Sequence, residues 1–165
     1  WWLSRLRFRS APLQRGFALA LLLLALWPLA MVARMPVPSA TAAAIEGVVP
    51  WSPEKLAELR GEGRVVFVDM TADWCVTCKA NEKAVLSRAP FREAMDAAGA
   101  VFMQGDWTNV DPRITAFLQA YGAVGVPFYI VYPAGGGEGE VLPTVLTDGI
   151  VVGALQRAAD AGRAP

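Results

Sequence analysis

Two cysteines stand three positions apart in Ala72-Asp73-Trp74-Cys75-Val76-Thr77-Cys78-Lys79, and they are the residues of this sequence best suited to covalent chemistry. A C-x-x-C pair reads as redox-active when it lies where a strand hands over to a helix. The residues before it, Val65-Val66-Phe67-Val68, are β-branched and aromatic, as in a buried central strand, and the run ends at Asp69-Met70-Thr71. The residues after it favour helix as far as about Arg88. Cys75 would then meet unpaired N–H groups and the positive end of the helix dipole, which stabilise the thiolate that attacks disulfides. Cys78, one turn further in, could attack the sulfur of Cys75 and release a bound partner, so the pair offers a nucleophile and a resolving thiol.

Three other uses of the pair compete. A structural disulfide closing so short a segment would constrain little of the unfolded chain. A closed zinc site needs about four ligands, and the sequence has no histidine and no third cysteine. A Cu(I) carrier can work with two thiolates and stands as the non-enzymatic alternative. Trp74 narrows access beside the nucleophile, as a disulfide-binding groove would require, and offers no donor to a metal. No metal and no cofactor are expected.

The elements around the pair follow from local signals. Ser52-Pro53-Glu54 starts a short amphipathic helix that carries Leu56 and Leu59 and ends near Gly61. Pro90 breaks the helix begun at the cysteines, and a second piece runs over Phe91–Ala98 to Gly99. Ala100–Gln104 reads as a strand. Asp111-Pro112 opens a helix with Ile114, Phe117, Leu118 and Tyr121 on one stripe, closed by Gly122. Phe128–Tyr132 and a weaker run near Val141–Leu146 read as a hairpin, and Thr147 or Asp148 caps a last helix. The order α, β, α, β, α, β, β, α indicates an α/β domain with a mixed sheet flanked by helices.

The first 50 residues differ from the rest. Gly16–Ala33 is an uncharged apolar run, near the lower limit for a transmembrane helix. Arg5, Arg7, Arg9 and Arg15 precede it and Arg34 follows, which by the positive-inside bias places the C-terminal part across the membrane. A secretory signal peptide ending in the small residues Ser39–Ala44 is the competing reading, and both export the domain. The organisation expected is a basic segment and transmembrane helix over 1–34, a linker over 35–50 rich in proline and alanine, and a folded domain over 51–165. The chain starts at Trp1, so it reads as the tail of a longer membrane protein. Positive and negative charges balance at 15 each and are scattered, which leaves no basic stripe for nucleic acid.

The motif Val68-Asp69-Met70-Thr71-Ala72-Asp73-Trp74-Cys75-Val76-Thr77-Cys78-Lys79, with Gly125-Val126-Pro127 further on, resembles the thioredoxin superfamily. The closer likeness is to the C-terminal periplasmic domains of DsbD-type and ScsB-like transmembrane thiol:disulfide interchange proteins. It covers about Arg64 to Ala159. The resemblance implies a thioredoxin-like fold preceded by a transmembrane helix in the bacterial inner membrane. It further implies a protein-disulfide reductase that takes electrons from a membrane-embedded donor domain and passes them to oxidised extracytoplasmic proteins; an oxidase or isomerase is the enzymatic alternative. It makes Asp69 a buried carboxylate able to exchange a proton with Cys78, where an ordinary strand-end Asp would be solvated. Glu82 becomes a second acid on the helix face of both sulfurs, where an exposed helix glutamate is the plain reading. Pro127 stands at the family's cis-proline, with Val126 offering backbone to an extended substrate beside Trp74, rather than a trans proline at a strand start. Val76-Thr77 replaces the Gly-Pro of thioredoxins proper, and Phe102 stands about where the family has a lysine.

Overall fold

A strand buried on both faces and bounded by helix caps is the first element the chain chemistry demands, and the computed structural model supplies it. The structure describes residues 11–33 and 47–162. Arg5, Arg7, Arg9, Arg34, the Ser39–Ala44 stretch and most of the 35–50 linker lie outside the described residues.

The chain divides into two units, one ending at Ser39 and one from Ala40 onward. In the first, α1 spans Ala11–Ala33 with Pro28 inside it. Leu19, Leu21, Leu22, Leu23, Leu24, Leu26 and Trp27 are exposed along it. The side chains described within α1 are those of residues 15–28. Among the described residues no helix is long and apolar enough to cross a membrane.

The second unit holds a five-stranded sheet in the order β1-β3-β2-β4-β5. The strands are β1 (Val49–Pro50), β2 (Val66–Thr71), β3 (Val101–Asp106), β4 (Phe128–Tyr132) and β5 (Glu140–Leu142). β1, β3 and β2 run parallel, β4 pairs antiparallel with β2, and β5 pairs antiparallel with β4. β1 falls in the stretch expected to be linker, because two residues are too few to show a period; it pairs Val49 with Met103 and Pro50 with Gln104. β5 stops before Pro143, which has no N–H to continue a ladder, rather than running to Leu146.

Side-chain oxygens cap the start of three of the helices. Ser52 Oγ accepts from Lys55 N–H at 3.1 Å to open α2 (Pro53–Gly61). Asp111 Oδ1 accepts from Arg113 N–H at 2.8 Å to open α5 (Pro112–Ala120). Thr147 Oγ1 accepts from Ile150 N–H at 3.3 Å to open α6 (Asp148–Ala161). Each cap satisfies a donor that a helix end otherwise leaves unpaired. The helix expected from Cys75 to Arg88 is instead α3 (Val76–Asn81) followed by a π-helical turn over Glu82–Leu86. α4 (Ala89–Ala98) ends at Gly99, whose φ of 56° is left-handed.

Strand alternation divides the core into two layers. On one face Phe67 and Tyr129 pack with Val85, Leu86, Phe91, Met95, Phe102 and Leu155, beneath the π turn, α4 and α6. Phe67 meets Phe91 and Phe102 edge-on at 5.2 and 5.5 Å. On the other face Val66, Val68, Met70 and Ile130 pack with Trp51, Leu56, Leu59, Ile114 and Leu118. Gly105 lacks a side chain where Met70 fills the space; a Cβ there would collide with the Met70 sulfur.

Candidate active site

β2 is buried throughout and delivers the chain straight to the cysteines. Cys75 has an extended backbone and serves as the N-cap of α3. Its sulfur accepts from Cys78 N–H at 3.1 Å, so the first turn of the helix presents a backbone donor to that sulfur. The two cysteines form a disulfide with Cα atoms 5.2 Å apart. Both are buried, and they pack with Ala72 and Val126 in a small cluster of their own. The helix N-terminus carries partial positive charge and would favour a thiolate there once the disulfide opens, while the burial of the pair acts against it.

Val126 packs against this cluster just before β4, and the Val126–Pro127 peptide is cis. Trp74 is more than half exposed and flanks Cys75 from the solvent side. Its indole Nε1–H donates to Thr108 O at 3.2 Å, and Asp73 N–H donates to Thr108 Oγ1 at 2.9 Å. Trp107 stacks at a tilt, 6.1 Å from the Trp74 ring. The loop after β3 thus holds the segment just before the cysteines. Thr108 gives no signal in the sequence, since nothing local links it to a residue 34 positions earlier.

Asp69 lies on the face of β2 beneath α3 and is almost fully enclosed. Burial pushes its carboxyl up to about 7; Gln104 opposes this with a hydrogen bond, Glu82 adds to it through like charge, and Lys79 opposes it. Gln104 Nε2 donates to Asp69 Oδ2 at 2.9 Å. The parallel ladder sets these two residues side by side, with Tyr129 opposite Asp69 on β4. Gln104 escapes the sequence reading; Phe102, which stands about where the family has a lysine, is a core residue packed on Phe67. Glu82 opens the π turn, with Lys79 Nζ 3.4 Å from its carboxylate and 3.6 Å from Asp73. The structure thus gathers Asp69, Glu82 and Lys79 around one end of the redox helix.

Asn81, buried one turn beyond Cys78, also goes unnoticed in the sequence. Its amide donates to Tyr129 Oη at 3.1 Å and Thr144 O at 2.8 Å, and its Oδ1 accepts from Leu146 N–H at 3.2 Å.

A thioredoxin-like family model matches residues 47–134, more than half of the chain. The chain belongs to the thioredoxin-like family. Among its relatives, the thiol:disulfide interchange protein DsbD of Cronobacter sakazakii is 37% identical over 79 residues, 48% of this chain and 13% of the relative. DsbD of Vibrio cholerae is 31% identical over 96 residues, 58% of this chain and 15% of the relative. The matches therefore span only 13% and 15% of these longer proteins. The oxidised C-terminal domain of Neisseria meningitidis DsbD superposes with a TM-score of 0.52 at 26% identity, covering 62% of this chain and 87% of that one. The reduced form gives 0.54 at 24% identity over 67% and 99%, a likeness of fold alone. This thioredoxin-like chain thus carries a DsbD-like domain with a Cys-Val-Thr-Cys disulfide, an arrangement that supports thiol:disulfide interchange.

Proposed function

We propose that the chain is a membrane-tethered protein-disulfide reductase, its catalytic domain in the periplasm, passing electrons from a membrane-embedded donor domain to oxidised extracytoplasmic proteins. The observation that carries this reading is the Cys75–Cys78 disulfide at the N-terminus of α3, with Cys75 as the cap. In the reduced enzyme the Cys75 thiolate attacks a partner disulfide, forming a mixed disulfide and releasing one partner sulfur. Cys78 gives up its proton, attacks the Cys75 sulfur and frees the second partner thiol. Two electrons pass to the partner, and the Cys75–Cys78 disulfide is restored for reduction by the donor.

Asp69 takes the Cys78 proton in this scheme. A carboxyl pushed up to about 7 exchanges a proton near neutral pH, where an ordinary aspartate is already ionised. Burial is the main cause of that upward shift, and Glu82 adds to it through like charge. Trp74, Val126 and Pro127 form the groove wall along which an extended substrate lies, the Val126 backbone pairing with it. The exposed leucines of α1, with the arginines that precede them, support its role as tether, and the domain layout 1–34, 35–50 and 51–165 belongs to the same proposal. Partition of the full chain into alkali-resistant membranes tests the tether.

C78S, which stalls exchange at the mixed disulfide, should accumulate partner proteins covalently bound to Cys75, visible as adducts that dithiothreitol dissolves. Tight Cu(I) binding by the wild type with no adduct on the variant would instead favour the carrier. A reduction potential near the roughly −120 mV of a strong oxidant would reverse the direction proposed here.

A further inference from the structure

The two carboxyl oxygens of Asp69 have different surroundings. Oδ2 accepts the Gln104 amide at 2.9 Å, whereas Oδ1 is fully buried and, among the described residues, has no hydrogen-bond partner. We propose that Gln104 is a positioning residue for the redox cycle: its amide holds Oδ2 as an acceptor and leaves Oδ1 as the atom that gains and loses the proton of Cys78. This rests on the assignment of Asp69 as the proton acceptor for that thiol.

Gln104 is held firmly for the task. It lies within β3, next to Asp69 across the ladder, and its backbone carbonyl accepts Trp51 N–H at 2.8 Å. A side chain carried by a paired strand keeps its aim better than one on a loop. The choice of an amide also matters. The charged and titratable groups acting on Asp69 are Glu82 and Lys79 from the redox helix side and Tyr129 from β4. A cation in place of Gln104 would bind Oδ2 more strongly and keep the carboxyl ionised. A neutral donor fixes the carboxyl's orientation and favours its ionised form only mildly, so the proton can still come and go. In the resolving step the Cys78 thiol transfers its proton to Oδ1, the Cys78 sulfur bonds to the Cys75 sulfur, and the partner sulfur leaves with the electron pair of the broken mixed disulfide.

The test uses the full chain in detergent, with Q104M, which is nearly isosteric and lacks the donor, and Q104N, whose shorter stem withdraws it. Asp69 is followed by carboxyl-carbon NMR in the oxidised protein, and resolution by release of thionitrobenzoate from a mixed disulfide on Cys75 across pH. Loss of one hydrogen bond to the ionised carboxyl should raise the Asp69 midpoint by about one unit in both variants. The inflection in the resolution rate should move with it, and D69N should abolish that inflection. An unmoved midpoint in both variants overturns the role of Gln104. So does an inflection that D69N abolishes but the Gln104 variants leave in place. A wild-type profile that D69N does not change refutes the assignment of Asp69 itself, and the proposal with it.

Discussion

Asp69 makes the oxidised domain's stability depend on pH in a direction opposite to that of most aspartates. Its carboxyl is raised from 3.8 to about 7 by burial, so between those values the folded chain binds the proton that the unfolded chain has lost. Stability therefore falls as pH rises from about 4 to about 7 and levels off above, because the ionised carboxylate must stay buried. D69N should remove the slope, which in wild type amounts to on the order of 4 kcal/mol between pH 4 and pH 8, read from urea unfolding at those two pH values. Equal slopes in the two proteins would show that another group titrates. The position of Asp69, six residues before Cys75 at the end of an apolar strand, is plain in the sequence. Its partner is not, because Gln104 meets it through strand register, which no local pattern encodes.

The redox helix is short, and the joint at its C-terminal end is tied to the rest of the domain. α3 ends at Asn81, where a π turn takes over and brings Val85 and Leu86 onto the sheet. Asn81 ties this joint to Tyr129 on β4 and to the backbone at Thr144 and Leu146. N81A would strand the Leu146 N–H and the Thr144 carbonyl, costing about 3 kcal/mol in urea unfolding and speeding hydrogen exchange at Leu146. The chain announces the starts of α2, α5 and α6, since Ser52, Asp111 and Thr147 act on neighbours a few residues away. It conceals the π turn, because Glu82–Leu86 has the composition of ordinary helix and only packing decides the extra residue. β1 is equally hidden: two residues pair only because β3 offers an open edge.

Both core layers lie entirely between Val48 and Ala159, so the second unit contains all the apolar burial that defines its fold. A fragment of residues 47–165 should unfold in a single cooperative transition and keep the Cys75–Cys78 disulfide, checked by circular dichroism and by thiol titration before and after reduction. A noncooperative melt would refute the reading that residues 47–165 hold a complete core. The fold class is readable at this scale because the alternation of element types restricts an α/β sheet to few topologies. The two margins of that sheet carry a further consequence. β1 is two residues long and includes Pro50, and β5 is three residues long and stops before Pro143. Among the described residues neither margin offers a continuous run of free amide and carbonyl groups, so an extended chain paired along the proposed Val126 groove would find no comparable ladder at the sheet edges, and copies of the domain no ready template for stacking edge to edge.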